Sequence, residues 1–405
     1  MGPAEAKVDV AILGGGVAGL WLLTRLRQAG FAAVLLEQSR LGSGQSIAAQ
    51  GIIHGGLKYA SGLKLGRAAE AIGGMPDLWR RCLAGRGEID LSAVPLLSPH
   101  HLLWLPPGLL GRTAGFFASR AVKSRAERLA PERWPTALQG CPSVGAVYAL
   151  DEPVVDVPAL LRVLSAAGAS AIRQIKPGDI EIERGPAGGA PGALRLAHPA
   201  GGTVRLRAQR FVFTAGIGNE AALAALVPPP VSAQRRPLQM VLVRGVPHPL
   251  YAHCFDLSDK PRLTITSHCD ASGRLVWYLG GQIAEAGAGL AREALIGRAK
   301  AEIAALLPDL AQGGLEWATL GIDRAEAGAA PGLRPDRPVA AASGSAIFAW
   351  PTKLAFAPLL AAEVLALLAR DGIVPAGGPD GRAALEAWPV PAVALPPWEE
   401  ATWTR

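Results

Sequence analysis

Residues Val8 to Glu37 read V-D-V-A-I-L-G-G-G-V-A-G-L-W-L-L-T-R-L-R-Q-A-G-F-A-A-V-L-L-E. The opening apolar run, Val8 to Leu13, is short and ends on glycine, as a buried parallel strand does. Val17 to Arg27 then carries apolar residues at helical spacing, and Gly30 supplies a stop. Phe31 to Leu36 is a second buried strand, closed by Glu37. Gly14, Gly16 and Gly19 therefore form G-x-G-x-x-G between a strand and a helix. Gly14 permits the tight turn, Gly16 lets backbone approach a pyrophosphate, and Gly19 lets the helix pack on the strand. The helix N-terminus, with Val17 and Ala18 in its first turn, offers N–H donors and a positive dipole end to a phosphate. Glu37 lies 23 residues after Gly14, where a carboxylate can accept the hydroxyls of an adenosine ribose. Strand, glycines, helix, second strand and acid stand in the order that a dinucleotide site requires.

Outward from this unit the chain has 405 residues, half of them hydrophobic and 18% charged. That is enough for two or three domains and excludes general disorder. Its 49 Gly and 34 Pro show no G-X-Y period, and no internal repeat is evident. The net charge of +7 is spread rather than blocked, with one looser cluster from Arg120 to Arg133. Solvated helix faces and an anionic cofactor or substrate account for it, and nucleic acid is not expected. Cys82, Cys141, Cys254 and Cys269 form no C-x-x-C pair, so neither a disulfide framework nor a zinc site is expected. No metal constellation and no G-x-S-x-G elbow is present. The N-terminus reads as free of a signal peptide, and no stretch reads as a transmembrane helix. The expected compartment is the cytoplasm, with peripheral membrane contact left open.

Leu41 to Tyr59 reads L-G-S-G-Q-S-I-A-A-Q-G-I-I-H-G-G-L-K-Y, a Gly/Ser/Gln-rich loop suited to running along a large cofactor. With this stretch the chain resembles the FAD-dependent D-amino-acid oxidase superfamily. Ile52-Ile53-His54-Gly55-Gly56-Leu57-Lys58-Tyr59 is similar to a segment of FAD glycerol-3-phosphate dehydrogenases, and Gln50 to His54 to one of L-2-hydroxyglutarate dehydrogenases. Two later stretches agree. Arg210 to Gly218, R-F-V-F-T-A-G-I-G, resembles the family's strand-to-flavin turn at Ala215 and Gly216. Gly332 to Val339 resembles its G-x-R-P stretch and is followed by a strand, Ala346 to Ala349. Trp350-Pro351-Thr352-Lys353-Leu354 then stands where the family usually has a glycine-rich loop, before a helix from about Ala357 to Arg370.

The resemblance implies an α/β fold: a Rossmann-like FAD-binding domain of glutathione-reductase type, with an inserted, mainly antiparallel β-sheet substrate domain. The FAD-binding domain is expected over 1–75, 150–230 and 320–372, the substrate domain over 76–149 and 231–319, and a Pro/Trp-rich tail over 373–405. Arg236–Val243, Arg262–His268 and Arg274–Leu279 read as strands of the inserted sheet, the last two as a hairpin. The tail's Trp388, Trp398 and Trp403 seek burial, which favours packing on the body over partner binding.

FAD is the implied cofactor. Its expected contacts are Gly14, Gly16, Val17, Ala18, Gly19, Glu37, Gln38, Gly44, Gln45, Ser46, Gln50, Gly51, Ile53, Ile175, Ala215, Gly216, Arg324, Pro351, Thr352, Lys353 and Leu354. A flavin oxidises C–H bonds next to oxygen or nitrogen, and the protein positions the substrate. Candidates for that chemistry are His54, placed by its motif beside the flavin as base or structural group, then His253 and His268 on substrate-sheet strands. Tyr59 and Tyr278 are possible donors to a substrate carboxylate. Arg324 and Arg334 are possible anion clamps, and Lys353 a positive charge near the flavin. The expected enzyme oxidises a small 2-hydroxy acid, amino acid or amine and passes electrons to O2, a quinone or a carrier protein. Two alternatives stay open: a flavin-binding electron-transfer subunit, and a flavoenzyme acting on an RNA-linked amine.

Overall fold

The computed structural model describes residues 4–55, 72–108, 126–185, 190–224, 229–256, 260–311, 313–329, 335–377 and 381–405. Two large sheets organise them. The first is parallel at its centre, in the spatial order β18 (Ala346–Trp350), β11 (Thr203–Phe213), β1 (Ala4–Leu13), β2 (Ala33–Glu37) and β8 (Ile172–Gln174). Antiparallel strands extend it: β17 (Val339–Ser343) on β18, and β10 (Pro191–Ala197) with β9 (Ile180–Arg184) on β11. The order of strands along the sheet reverses direction at β1. Open α/β sheets take their ligands at that switch, outside the carboxyl ends of the strands.

Both faces of this sheet are covered, which is why its strands read as continuous apolar runs. On one face, helix α1 (Val17–Gln28) packs against the helices Val157–Gly168 and Ala357–Arg370. On the other, Phe211, Phe213, Phe348 and Trp350 form a second core layer with Val34 and Leu36. A Cβ at Gly19 would stand 2.1 Å from the carbonyl oxygen of Gly14, so only glycine lets α1 close on β1. Gly14 itself has φ of 111°, and a Cβ there would come within 2.6 Å of the Ala215 backbone.

The second sheet runs β16 (Glu316–Ala327), β12 (Ala233–Arg244), β15 (Leu275–Gly280), β14 (Pro261–Cys269), β13 (Ala252–Phe255), β4 (His101–Leu105), β6 (Ala146–Leu150) and β5 (Ala126–Leu129). Its neighbours are antiparallel except β13 and β4. One face buries Val241, Val243, Ile265, Trp277 and Leu279 under the helix Arg292–Leu306. A small third sheet pairs β3 (Leu96–Ser98) with β7 (Val154–Val155).

The expected strands and the hairpin across Asp270 to Gly273 are present within a few residues of where the sequence placed them. Two features lie at boundaries of the expected partition of the chain. Position 320 falls inside β16, which pairs with β12 along its whole length. The helix Met75–Leu83 lies with the parallel sheet: Trp79 is fully buried, meets Trp21 at 5.0 Å, and its indole N–H donates to the Ala355 carbonyl at 3.0 Å. Residues 56–71, with Tyr59, and Arg334 lie outside the described residues.

The tail packs on the body. Leu41 bridges to Val393 and Trp317 to Thr404. Trp388 and Trp398 are buried in separate cores, and the Arg244 guanidinium lies 4.4 Å over the Trp403 ring. Among the described residues, no helix is long and apolar enough to cross a membrane.

Candidate active site

A cavity of about 2030 Å³ opens where the carboxyl ends of β1, β2 and β11 meet one face of the second sheet. Drug-sized ligands take pockets of roughly 300–1,000 Å³, so this volume accommodates a dinucleotide and a second small molecule. The Gly14–Ala18 turn lies at its base. Gly16 caps α1 with no side-chain bond, and no acid stands in the helix's first turn. Ser46 accepts from the Val17 N–H at 2.9 Å, which pins the 41–51 loop over that helix end. Glu37 accepts from the Gly15 N–H at 2.5 Å and the Ser39 N–H at 2.8 Å, holding its carboxylate at the cavity wall. Beside it Ile175, Ile180, Ile182 and Ile217 form an apolar pocket. Ile182 and Ile217 are 37% and 39% exposed, apolar surface that a planar ring would take out of water.

Gln45 accepts from the Ala325 N–H at 3.1 Å, and Gln50 donates to the Tyr278 carbonyl at 2.9 Å. These two glutamines tie the loop to the second sheet. Across the cavity, Pro351 to Leu354 follow β18. Thr352 has φ of 63°, the only positive value outside glycine among the described residues, and Lys353 N–H closes back on the Pro351 carbonyl at 2.6 Å. Such a three-residue turn is strained. The backbone here has a glycine's conformation without a glycine.

The second sheet contributes charge. Lys260 pairs with Glu285 at 2.7 Å, while Arg236 and Arg324 approach the same carboxylate at 3.8 and 4.0 Å. Arg236 also meets the buried Glu326 at 3.4 Å. Burial would raise the Glu285 carboxyl, but Lys260 and the two arginines hold it below the usual range. Lys260, Arg236 and Arg324 thus bring three cations to this wall, beside the carboxylates of Glu285, Glu326 and Asp323.

At the far end His54 and His253 meet Glu152. The His54 Nδ1 lies 3.1 Å from Glu152 Oε2, and the Gly55 N–H donates to Oε1 at 2.8 Å. Burial would raise the Glu152 carboxyl, but the His54 charge, its hydrogen bond and the Gly55 amide outweigh burial and hold it at about 2. The His54 and His253 rings stack at 5.9 Å, and the proton-binding atoms of all three side chains lie within 4.8 Å of one another.

The family model for FAD-dependent oxidoreductases known as DAO matches residues 9–357. The chain belongs to the DAO family of FAD-dependent oxidoreductases. It is an oxidoreductase, and FAD is its cofactor. It is 46% identical to a probable FAD-dependent oxidoreductase of Pseudomonas aeruginosa, across 98% of this chain and 99% of the relative. The crystal structure of an FAD-dependent oxidoreductase from that organism superposes with a TM-score of 0.82 at 41% identity, covering 98% and 99% of the two chains. Glycine oxidase from Geobacillus kaustophilus (TM-score 0.63, 21% identity, 90% and 95% covered) shares the fold. So does the FAD-bound L-alpha-glycerophosphate oxidase from Mycoplasma pneumoniae (0.63, 14%, 93% and 98%).

Against the DAO-family reading of the sequence, most expected cofactor positions line the cavity, as do His54, His253, Arg324 and Lys353. Four positions do not. Ile53 turns into the core and its neighbour Ile52 takes the wall. Gly19 acts in helix packing. The Tyr278 hydroxyl is buried and donates to the Ala48 carbonyl at 3.0 Å. His268 is buried at 4.3 Å under Trp398, with Nε2 3.1 Å from Thr266 Oγ1. Burial pushes the His268 imidazole down to about 3, which keeps it neutral. Glu152, Arg236, Lys260 and Glu285 were not singled out in the sequence. An acid in Asp151-Glu152-Pro153 reads as an exposed turn, and only its position between two apolar strands hinted at burial.

Proposed function

We propose that this enzyme oxidises the C–H bond next to a hydroxyl or amine of a small anionic substrate, a 2-hydroxy acid or an amino acid. One observation carries the reading. A single cavity holds a cationic wall at Arg236, Arg324 and Lys260 and a histidine–carboxylate pair at His54 and Glu152. When bound, FAD supplies the two-electron acceptor that takes the hydride from the substrate carbon. The residues of the Gly14–Ala18 turn fit its pyrophosphate, Glu37 its ribose, and the isoleucine pocket its adenine. Gly44 to Gly51 and Thr352–Lys353 fit its other end. The cationic wall binds the substrate carboxylate and orients the adjacent carbon. His54 takes the proton from the substrate O–H or N–H, a task suited to an imidazole near neutral pH. Electrons then pass to O2, a quinone or a carrier protein.

The test is an anaerobic screen of the purified holoenzyme with hydroxy acids, amino acids, amines and glycerol phosphate, following loss of the flavin band. Bleaching by carboxylate substrates, with none by neutral analogues, is the expected result. Bleaching by neutral amines alone would overturn the carboxylate reading. Recovery on readmitting air separates an oxidase from a dehydrogenase.

A further inference from the structure

We propose that Glu152 is the positioning residue of the proton acceptor: it orients His54 with the Nδ1 hydrogen toward its own Oε2 and leaves Nε2 to take the substrate's proton. The inference rests on the functional reading above and deepens it.

Glu152 is 2% exposed, and a carboxylate so placed is costly to bury without partners. Both of its oxygens are engaged, one by the Gly55 N–H and one by His54 Nδ1. An ionised carboxylate can only accept, so the hydrogen of a neutral His54 sits on Nδ1 and the lone pair on Nε2. The backbone bond from Gly55 locks the carboxylate to the residue after the histidine, so the two side chains move as one unit. The same carboxylate stabilises the imidazolium formed when the proton arrives.

The adjacent Asp151 turns outward to pair with Arg80. His253, on β13, stacks on the His54 ring, and its Nδ1 lies 2.8 Å from Thr264 Oγ1. His101, on β4, lies 4.1 Å behind His253, with Nε2 3.3 Å from the Ile265 carbonyl, which can only accept. The histidines behind His54 are thus hydrogen-bonded to the sheet, and among the described residues Glu152 is the carboxylate bonded to its Nδ1. The step balances: the substrate O–H or N–H bond breaks as an N–H bond forms at His54 Nε2. The carbon–hydrogen electron pair leaves as hydride to the bound flavin, and a keto acid or imino acid remains.

The test uses holoenzyme labelled with 15N-histidine, with the His54 resonances identified by their loss in His54→Asn. The expected spectrum shows neutral His54 with its hydrogen on Nδ1. In Glu152→Gln its protonation midpoint falls by about one pH unit or more, because a neighbouring negative charge is gone, while Glu152→Asp gives a smaller fall. With a substrate from the screen, flavin reduction in Glu152→Gln slows by about ten- to hundredfold. Its acid limb moves to lower pH at unchanged flavin content. Wild-type His54 with its hydrogen on Nε2 would overturn the proposal even if no Glu152 variant folds. So would an unchanged pH profile in Glu152→Gln, which would leave the functional reading standing. One equivalent of zinc retained through dialysis and lost in Glu152→Gln would overturn it in favour of a cation site. The expected spectra with no substrate class bleaching the flavin would uphold the dyad and sink the functional reading instead.

Discussion

The two sheets divide the labour differently. The parallel sheet is covered on both faces, and what it presents to the cavity is largely backbone: a turn, a helix end and the glycines between them. The antiparallel sheet is covered by the helix Arg292–Leu306 on one face and gives part of the other to the cavity, where its contacts are side chains from several strands. Backbone contacts demand particular residue types at particular spacings, whereas side-chain contacts demand only convergence in space. Under the proposed function the first region governs cofactor retention and much of the stability, and the second governs which substrate turns over.

Four substitutions or conditions test that division. Trp79→Ala, beneath the parallel sheet, should cost about 3–5 kcal/mol of stability, read as a fall in denaturation midpoint with loss of bound flavin. An unchanged midpoint would mean that the helix Met75–Leu83 is dispensable to this core. Gly14→Val should cost on the order of 3 kcal/mol in cofactor affinity, more than a hundredfold. Its side chain would be driven into the Ala215 backbone at an unfavourable φ. A variant purified with full flavin content would break the comparison at its strongest point. Arg236→Ala should keep its flavin and lose about ten- to hundredfold in kcat/KM for a carboxylate substrate, with little effect on a neutral analogue. Equal losses for both would move recognition elsewhere on the wall.

The smallest effect concerns pH. His268 has a folded value near 3, depressed by burial, against about 6.5 unfolded. Below pH 6.5 the unfolded chain takes up a proton that the folded protein refuses, so stability falls as pH drops toward 3. Between pH 7 and 5 this loss is about 2 kcal/mol. His268→Gln should flatten it, as measured by denaturant titration at the two pH values. Glu152 contributes in the same direction lower down, its share being lost as pH falls from about 4.5 to about 2.

What was legible in the sequence follows the same line. Gly14, Gly16, Gly19 and Glu37 could be read because a tight turn and a close helix approach leave no other choice. The strands of both sheets could be read from their apolar patterns. His54 was reached through its family resemblance, and Glu152 was not reached, because its partner lies 98 residues away and no spacing rule connects them. Tyr278 and His268 show a subtler limit. Strand alternation puts them on the same face as Thr264 and His253, as their pairing requires. They lie further along that face, where Trp398 from the tail covers it. Alternation gives the face, not the point at which the cavity ends. Thr352 is the reverse case, since its strained turn could not be expected from a residue that avoids that conformation.

The pairing of β1 with β11 also has a consequence for synthesis. The Gly14 carbonyl receives the Thr214 hydroxyl from 200 residues further along the chain. At roughly 5–20 residues per second, the first strand waits on the order of ten to forty seconds for its neighbour to leave the ribosome. For that interval V-A-I-L has β2 beside it on one edge and no β11 on the other, an open edge of the kind that makes partly folded chains depend on chaperones. The cavity walls draw on residues from Leu13 to Glu400, so the cavity itself is complete only when nearly all of the described residues have been made. The enclosure of the site is thus one of the last things that synthesis of this chain delivers.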